Sequence, residues 1–301
     1  MKYLLLLAIV LISLCTDIPN FPDIPFLNNP TQPGTSGIEI SNGDIYVNVN
    51  ALPSEITGGG NIVLYFQITN KANYDLEGVS LNLYDTCVFE GGGSEPIGTL
   101  KSNRTNSTKW TLTSQPITLS RDCNIKFALS YNGKFTFYQD VVVLTQSEYN
   151  IRLLDGTLHN IPIKTSSSSS PLQISLTFSE EQPLLENTNV NAQISYTYTG
   201  NGFIDVGAGA VKINLPSPSN LEVLEVSGKY CTGDYDSSLS LVNKLKFINK
   251  KASPTTCTFG AKASNMIDIK LLTITANYTY TIDGSIPVRV KGSSNINPQP
   301  V

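Results

Sequence analysis

Apolar and polar residues alternate with a period of two along most of this chain, the pattern of strands that are buried on one face only. Ile62, Leu64, Phe66 and Ile68 share one strand face, while Val63, Tyr65, Gln67 and Thr69 share the other. Val79, Leu81 and Leu83 repeat the pattern. Residues 125–131 and 135–144 flank Asn132-Gly133, a dipeptide suited to a type I′ turn, and predict a hairpin. In the second half, Ile194, Tyr196 and Tyr198 alternate with Ser195, Thr197 and Thr199. Leu272, Ile274, Ala276, Tyr278, Tyr280 and Ile282 do the same, and Asp283-Gly284 predicts a second hairpin with residues 286–290 as its return strand. No amphipathic helix is expected beyond the N-terminal leader. The fold class is all-β, and two immunoglobulin-like β-sandwich domains in tandem are expected.

Breaks in the alternation set the expected boundaries. Residues 1–15 carry Lys2, an apolar run from Tyr3 to Ile12 and then Ser13-Leu14-Cys15, the layout of an export signal peptide. The run is too short for a membrane span, which needs roughly 20 apolar residues. Residues 16–37 contain Pro19, Pro22, Pro25, Pro30 and Pro33 and read as an extended tether. A first sandwich is expected over 38–164, a flexible Ser-rich linker over 165–171, a second sandwich over 172–291 and a flexible tail over 292–301.

Two main readings of Cys15 stand, with an uncleaved signal as a lesser third. In one it is lipidated and anchors the mature chain to a membrane; in the other it is removed by ordinary cleavage. Both leave four cysteines, Cys87, Cys123, Cys231 and Cys257, with no C-x-x-C pair. His159 is the only histidine, so zinc is poorly supported and disulfides are expected. Of three formal pairings, Cys87 with Cys123 and Cys231 with Cys257 keeps each bridge inside one half.

Charged residues are 15% of the chain and the net charge is −4, which leaves no basic field for nucleic acid. No catalytic residue, cofactor or metal ligand set is expected. His159 has no nucleophile elbow to serve, and the glycines at 58–60, 91–93 and 207–209 read as loops. Asp234-Tyr235-Asp236-Ser237 lacks the later glutamate of a complete calcium loop. The tyrosines are expected in core and inter-sheet packing. Asn103-Arg-Thr105, Asn106-Ser-Thr108 and Asn277-Tyr-Thr279 are candidate N-glycosylation sites.

The stretch LYFQITNKANYDLEGVSLNLY, residues 64–84, has a strand ending in Thr69-Asn70, a short polar turn and a strand containing Val79-x-Leu81. Over roughly residues 38–144 the chain resembles CARDB-type immunoglobulin-like modules of archaeal and bacterial cell-surface proteins. That resemblance implies a spacer or adhesive unit and carries no functional residue. The second half resembles a divergent immunoglobulin-like relative through its closing YTYTIDGSIPVRV. A non-catalytic structural or adhesion protein at the cell surface is therefore expected, facing a surface protein or glycan. The alternative is a filament or surface-layer subunit, a homo-polymer in which the proline-rich arm or residues 38–50 complete a neighbour's sheet by β-strand addition. A secreted carbohydrate-binding or hydrolytic module, for which no paired carboxylates stand in a recognisable context, ranks last.

Overall fold

A computed structural model describes residues 36–215, 221–225, 231–234, 238–241 and 244–293. The leader, Cys15, all but the last two residues of the proline-rich segment and the tail beyond 293 lie outside the described residues, as do Tyr235, Asp236 and Ser237. The described chain is built of β-strands in three sheets.

The first sheet runs in the order β1 (Ser36–Asn42), β2 (Ile45–Leu52), β3 (Asn61–Asn70), β6 (Thr105–Ser114), with Phe89–Glu90 at its far edge. Apart from Phe89–Glu90, the segment between β3 and β6 leaves this sheet. It forms β4 (Leu76–Asp85) and β5 (Gly93–Leu100), which join the second, eleven-stranded sheet. That sheet is organised by two long strands, β7 (Arg121–Leu144) and β13 (Ile267–Lys291), with β10 (Val211–Asn214) on the other side of β13. The third sheet has the order β8 (Leu172–Phe178), β9 (Asn189–Tyr198), β12 (Lys251–Ala261), β11 (Leu221–Glu225).

The long pair corrects both expected hairpins. β7 continues straight through Asn132-Gly133, β13 continues through Asp283-Gly284, and the two pair antiparallel from Ile267–Leu144 to Val290–Arg121. The physical reason lies in the partner opposite each glycine. Gly133 faces Tyr278 and Gly284 faces Phe127. A Cβ on Gly133 would meet Tyr278 Cζ at 2.3 Å, and one on Gly284 would meet Phe127 Cζ at 2.3 Å. Each glycine therefore lets a cross-strand ring lie over the backbone, a use of strand glycine distinct from a turn.

Two sandwich lobes are joined by this shared sheet. In lobe 1 the first sheet faces the 121–132 half of β7, and Phe66 packs edge-on against Phe127 with centroids 5.2 Å apart. β4 extends this half of the sheet, pairing with β7 between Lys126 and Asn132. In lobe 2, β10 pairs with residues 273–276 of β13, and Ile174, Ile194 and Phe259 of the third sheet share a buried core with Phe135, Phe137 and Ile274 of the long strands. Most buried apolar residues of both lobes form one continuous core, and Val142, Leu144 and Leu158 form a small separate cluster. Boundaries near residues 164 and 172 thus fall between strands of one sheet system, and β7 and β13 each contribute to both lobes.

The serine tract is tied down rather than loose. Thr165–Ser167 pairs with Phe137–Gln139, Ser168 donates its backbone N–H to Thr136 O at 2.8 Å, and Ser170 is buried. A tract without apolar side chains still satisfies its backbone by lying along the edge of β7. A helix, α1 (Gln146–Leu154), follows β7, with Thr145 Oγ1 accepting from Glu148 N and Arg152 paired with Glu148 at 2.6 Å. No amphipathic helix is expected from the sequence, and this short helix lies on the surface. None of its residues is fully buried, and half-buried Tyr149 packs against the small cluster of Val142, Leu144 and Leu158.

Candidate functional site

The waist between the lobes holds the densest buried polar cluster of the described residues. Asp44 sits in the turn between β1 and β2 and is fully buried. Its Oδ2 accepts from Tyr278 OH at 2.8 Å, Tyr74 OH at 3.0 Å and Tyr131 OH at 3.4 Å. Its backbone carbonyl accepts from the N–H groups of Lys71 and Ala72. Asn42 Nδ2 donates to Tyr131 OH, and the Ser170 and Tyr278 hydroxyls are 2.7 Å apart. Tyr280, two residues along the same face of β13, donates to Thr199 O and accepts from Gly202 N. Lobe 1 thus supplies Asp44 and Tyr74, the segment before β8 supplies Ser170, and the two long strands supply the remaining tyrosines.

Electrostatics follow from burial. Desolvation raises the Asp44 carboxyl above its ordinary value, opposed by the hydrogen bonds from Tyr278, Tyr74 and Tyr131. Burial, with the Asp44 charge beside it, pushes Tyr74 up to about 12. The same two causes push Tyr131 and Tyr278 up further. These phenols stay protonated and act as donors. Asp44 Oδ1 is buried and has no hydrogen-bond partner in the protein.

Beside the waist lies a cleft of about 460 Å³ lined by Tyr278, Asn132, Lys134, Glu77, Asp205 and Lys244, among others. Lys244 pairs with Asp205 at 2.7 Å across half-exposed side chains. Asp75, also on the wall, pairs with Lys101 at 2.7 Å. Lys101 holds the Asp75 carboxyl below its usual range. The cleft offers donors, acceptors and both signs of charge, much of it already paired at the surface, where such pairs contribute little.

The residues singled out in the sequence are dispersed. Cys87 and Cys123 form a disulfide with Cα atoms 5.8 Å apart, tying the segment after β4 to the start of β7. Cys257 on β12 is buried and disulfide-bonded, while the side chain of Cys231, its expected partner, lies outside the described residues. Asn103 is exposed in the turn between β5 and β6 with a left-handed φ of 55°, and Asn106 is exposed on β6. Asn277 is exposed on β13 and lines the cleft. His159 lies in the short 3-10 turn Leu158–Asn160, exposed, with Glu181 Oε1 3.8 Å away. No group of three His, Cys, Asp or Glu residues that could hold a metal ion occurs among the described residues.

Asp44 was not singled out from sequence. Asn42-Gly43-Asp44 reads as a turn, and a turn aspartate is ordinarily solvated; what buries this one is the meeting of β7 and β13 above it. The tyrosines gave a partial signal, since Tyr278 and Tyr280 fall on the core-facing positions of an alternating strand. No protein-family model matches the chain, and no curated protein matches its sequence.

Proposed function

We propose that this is a non-catalytic extracytoplasmic protein, anchored at its N-terminal end, that holds a binding surface for a surface protein or glycan away from the membrane. The observation that carries the reading is where the described chain enters and leaves. Ser36 pairs with Ala51, and Lys291 pairs with Thr57, so both ends lie at the pole of lobe 1 opposite the waist. Lobe 2 stands on the far side of the waist. Two strands of 24 and 25 residues connect the lobes without a hinge loop, and at about 3.3 Å per residue each would reach about 80 Å if straight. A chain tethered before residue 36 therefore projects lobe 2 outward on a stiff sheet.

The finer architecture in this proposal is two immunoglobulin-like sandwiches, the first of CARDB type, fused through the shared sheet. The Cys87–Cys123 bridge accords with an oxidising compartment. The export signal, the proline-rich stalk and lipidation of Cys15 complete the reading, with glycans on Asn103, Asn106 or Asn277 on exposed surface. Mass spectrometry of the mature N-terminus with fractionation of native cells tests it. A lipid on Cys15 in the detergent-soluble fraction is the expected result. Unmodified protein beginning at Thr16 and free in the medium overturns the anchor.

The filament alternative draws on the open outer edges of β1 and β8 among the described residues. It loses one of its two donor segments, because residues 38–50 form β1 and β2 within this chain's own sheet. Sedimenting fibres would favour it over an anchor.

A further inference from the structure

The sheet edges are not protected equally. β5 carries Pro96, Gly93 and Gly98 at positive φ and register shifts against β4. β11 has a register shift between Val223 and Glu225, and β1 carries Glu39 and Gly37. These are the devices that blunt an edge against pairing with another chain. β8, LQISLTF, has none of them: seven residues, no charge, no glycine, no proline, and an unbroken register against β9 from Leu172–Tyr198 to Phe178–Ala192.

The ladder also tells which backbone groups point outward. Thr199 N donates to Pro171 O and Ser179 N donates to Asn191 O, so the odd-numbered residues from 171 to 179 form the hydrogen-bonded pairs with β9. The N–H and C=O groups of Leu172, Ile174, Leu176 and Phe178 therefore face the open edge. Their side chains are buried in lobe 2, and no other strand pairs with this edge among the described residues.

We propose that β8 pairs antiparallel with β8 of a second copy, about a two-fold axis at Ser175. This goes beyond the presenting function above and does not depend on the anchor. Centring on Ser175 sets Leu172 opposite Phe178 and Ile174 opposite Leu176 of the second copy, so all four outward-facing residues on each strand are paired; a two-fold at 174 or 176 leaves fewer. On the exposed face, Gln173 meets Thr177 and Ser175 meets its own counterpart, all neutral. The paired residues of β8 carry no charge, and Glu180 and Glu181 lie beyond the end of the strand, away from the axis at Ser175. A chain of net charge −4 can associate at this edge without like charges opposed.

Sedimentation of the purified chain over a concentration series should show a monomer–dimer equilibrium. Ser175→Glu places like charges at the axis and should raise the dissociation constant about tenfold or more. Because Ser175 is exposed, its circular dichroism and melting should match the parent's. Ser175→Cys should form an intermolecular disulfide on mild oxidation, since directly opposed residues of this kind have Cα atoms about 4.5 Å apart, within disulfide reach. Thr177→Cys, which faces Gln173, should not, and the parent with its native cysteines sets the baseline. Monomer at every concentration, a dimer that Ser175→Glu leaves intact, or equal cross-linking by Thr177→Cys overturns the proposal.

Discussion

The two lobes and the waist between them are held by different chemistry. Within lobe 1 the buried set is mainly aliphatic, Ile45, Val47, Val49, Ile62, Leu64 and Ile68 among them, and its stability comes from removing apolar area from water. At the waist the chain buries a carboxylic acid and several phenols instead, and stability there depends on each donor finding an acceptor. Burial alone tolerates many packings, but a carboxyl reached by three hydroxyls from three segments tolerates few. The waist therefore fixes how the lobes join, while the lobe cores supply most of the driving force.

The largest expected effect comes from filling the space that the waist needs. Gly133→Ala puts a methyl group 2.3 Å from the Tyr278 ring and should cost about 3 to 5 kcal/mol by overpacking and loss of the Tyr278 bond to Asp44. Gly207→Ala, in open space on the cleft wall, should change stability by no more than about 0.5 kcal/mol. Urea denaturation of the two variants measures the contrast. Equal costs would mean that the ring contact does not constrain the waist.

Removing the lobe 1 disulfide tests the other side of the comparison. Cys87 and Cys123 are 36 residues apart, and a loop of that size predicts a loss of about 3 to 4 kcal/mol for the Cys87→Ala/Cys123→Ala pair. The loss should not depend on Asp44. A double-mutant cycle with Asp44→Asn should be additive within about 0.5 kcal/mol; a larger coupling would tie the bridge to the waist.

Asp44 itself should show its place through pH. Asp44→Ala strands several donors and should cost about 2 to 3 kcal/mol. Asp44→Asn keeps the shape and removes the titration. The folded state raises the Asp44 pKa, so the folded form holds the proton more tightly than the unfolded one. Its stabilising contribution is complete below the ordinary value of 3.8 and is lost as pH rises through the raised folded value. The stability of the parent minus that of Asp44→Asn should therefore fall with rising pH across that window. A difference that rises instead would mean the hydrogen bonds outweigh desolvation.

Much of this arrangement was legible in the sequence, and some of it was legible but misread. The alternation at 62–68 and 79–83 gives β3 and β4 directly. The two hairpins were inferred from a local turn preference, yet the parity of the apolar residues argues otherwise. A two-residue turn at 132–133 pairs 131 with 134 and would move the apolar set to even numbers. Phe127, Leu129, Tyr131, Phe135 and Phe137 stay odd, and across 283–284 Tyr280, Ile282, Ile286 and Val288 stay even. Unbroken parity is the mark of a strand running straight through. The helix had its own sign, since Thr145-x-x-Glu148 has the form of a capping box. The burial of Asp44 had none, because it depends on strands more than 80 residues away in the chain, as the separation of 234 from Tyr278 illustrates.

The smallest effect gives the sharpest comparison, because it uses the same chemical change in both places. Tyr278 and Tyr196 are both buried, on β13 at the waist and on β9 in lobe 2. Tyr278 OH donates to Asp44 and has Ser170 beside it. Tyr196 OH has no hydrogen-bond partner: Thr255 lies close enough to oppose the rise in its pKa that burial causes, but the pair lacks hydrogen-bond geometry. Tyr278→Phe removes a hydroxyl that serves an acceptor and should cost about 1 to 2 kcal/mol. Tyr196→Phe removes a buried hydroxyl that gains nothing from the fold and should be neutral or stabilising by up to about 1 kcal/mol. Thermal unfolding of the two variants at the same pH measures both. If Tyr278→Phe is as well tolerated as Tyr196→Phe, the waist is held by ring packing, and Asp44 is a buried polar residue that the fold endures rather than uses.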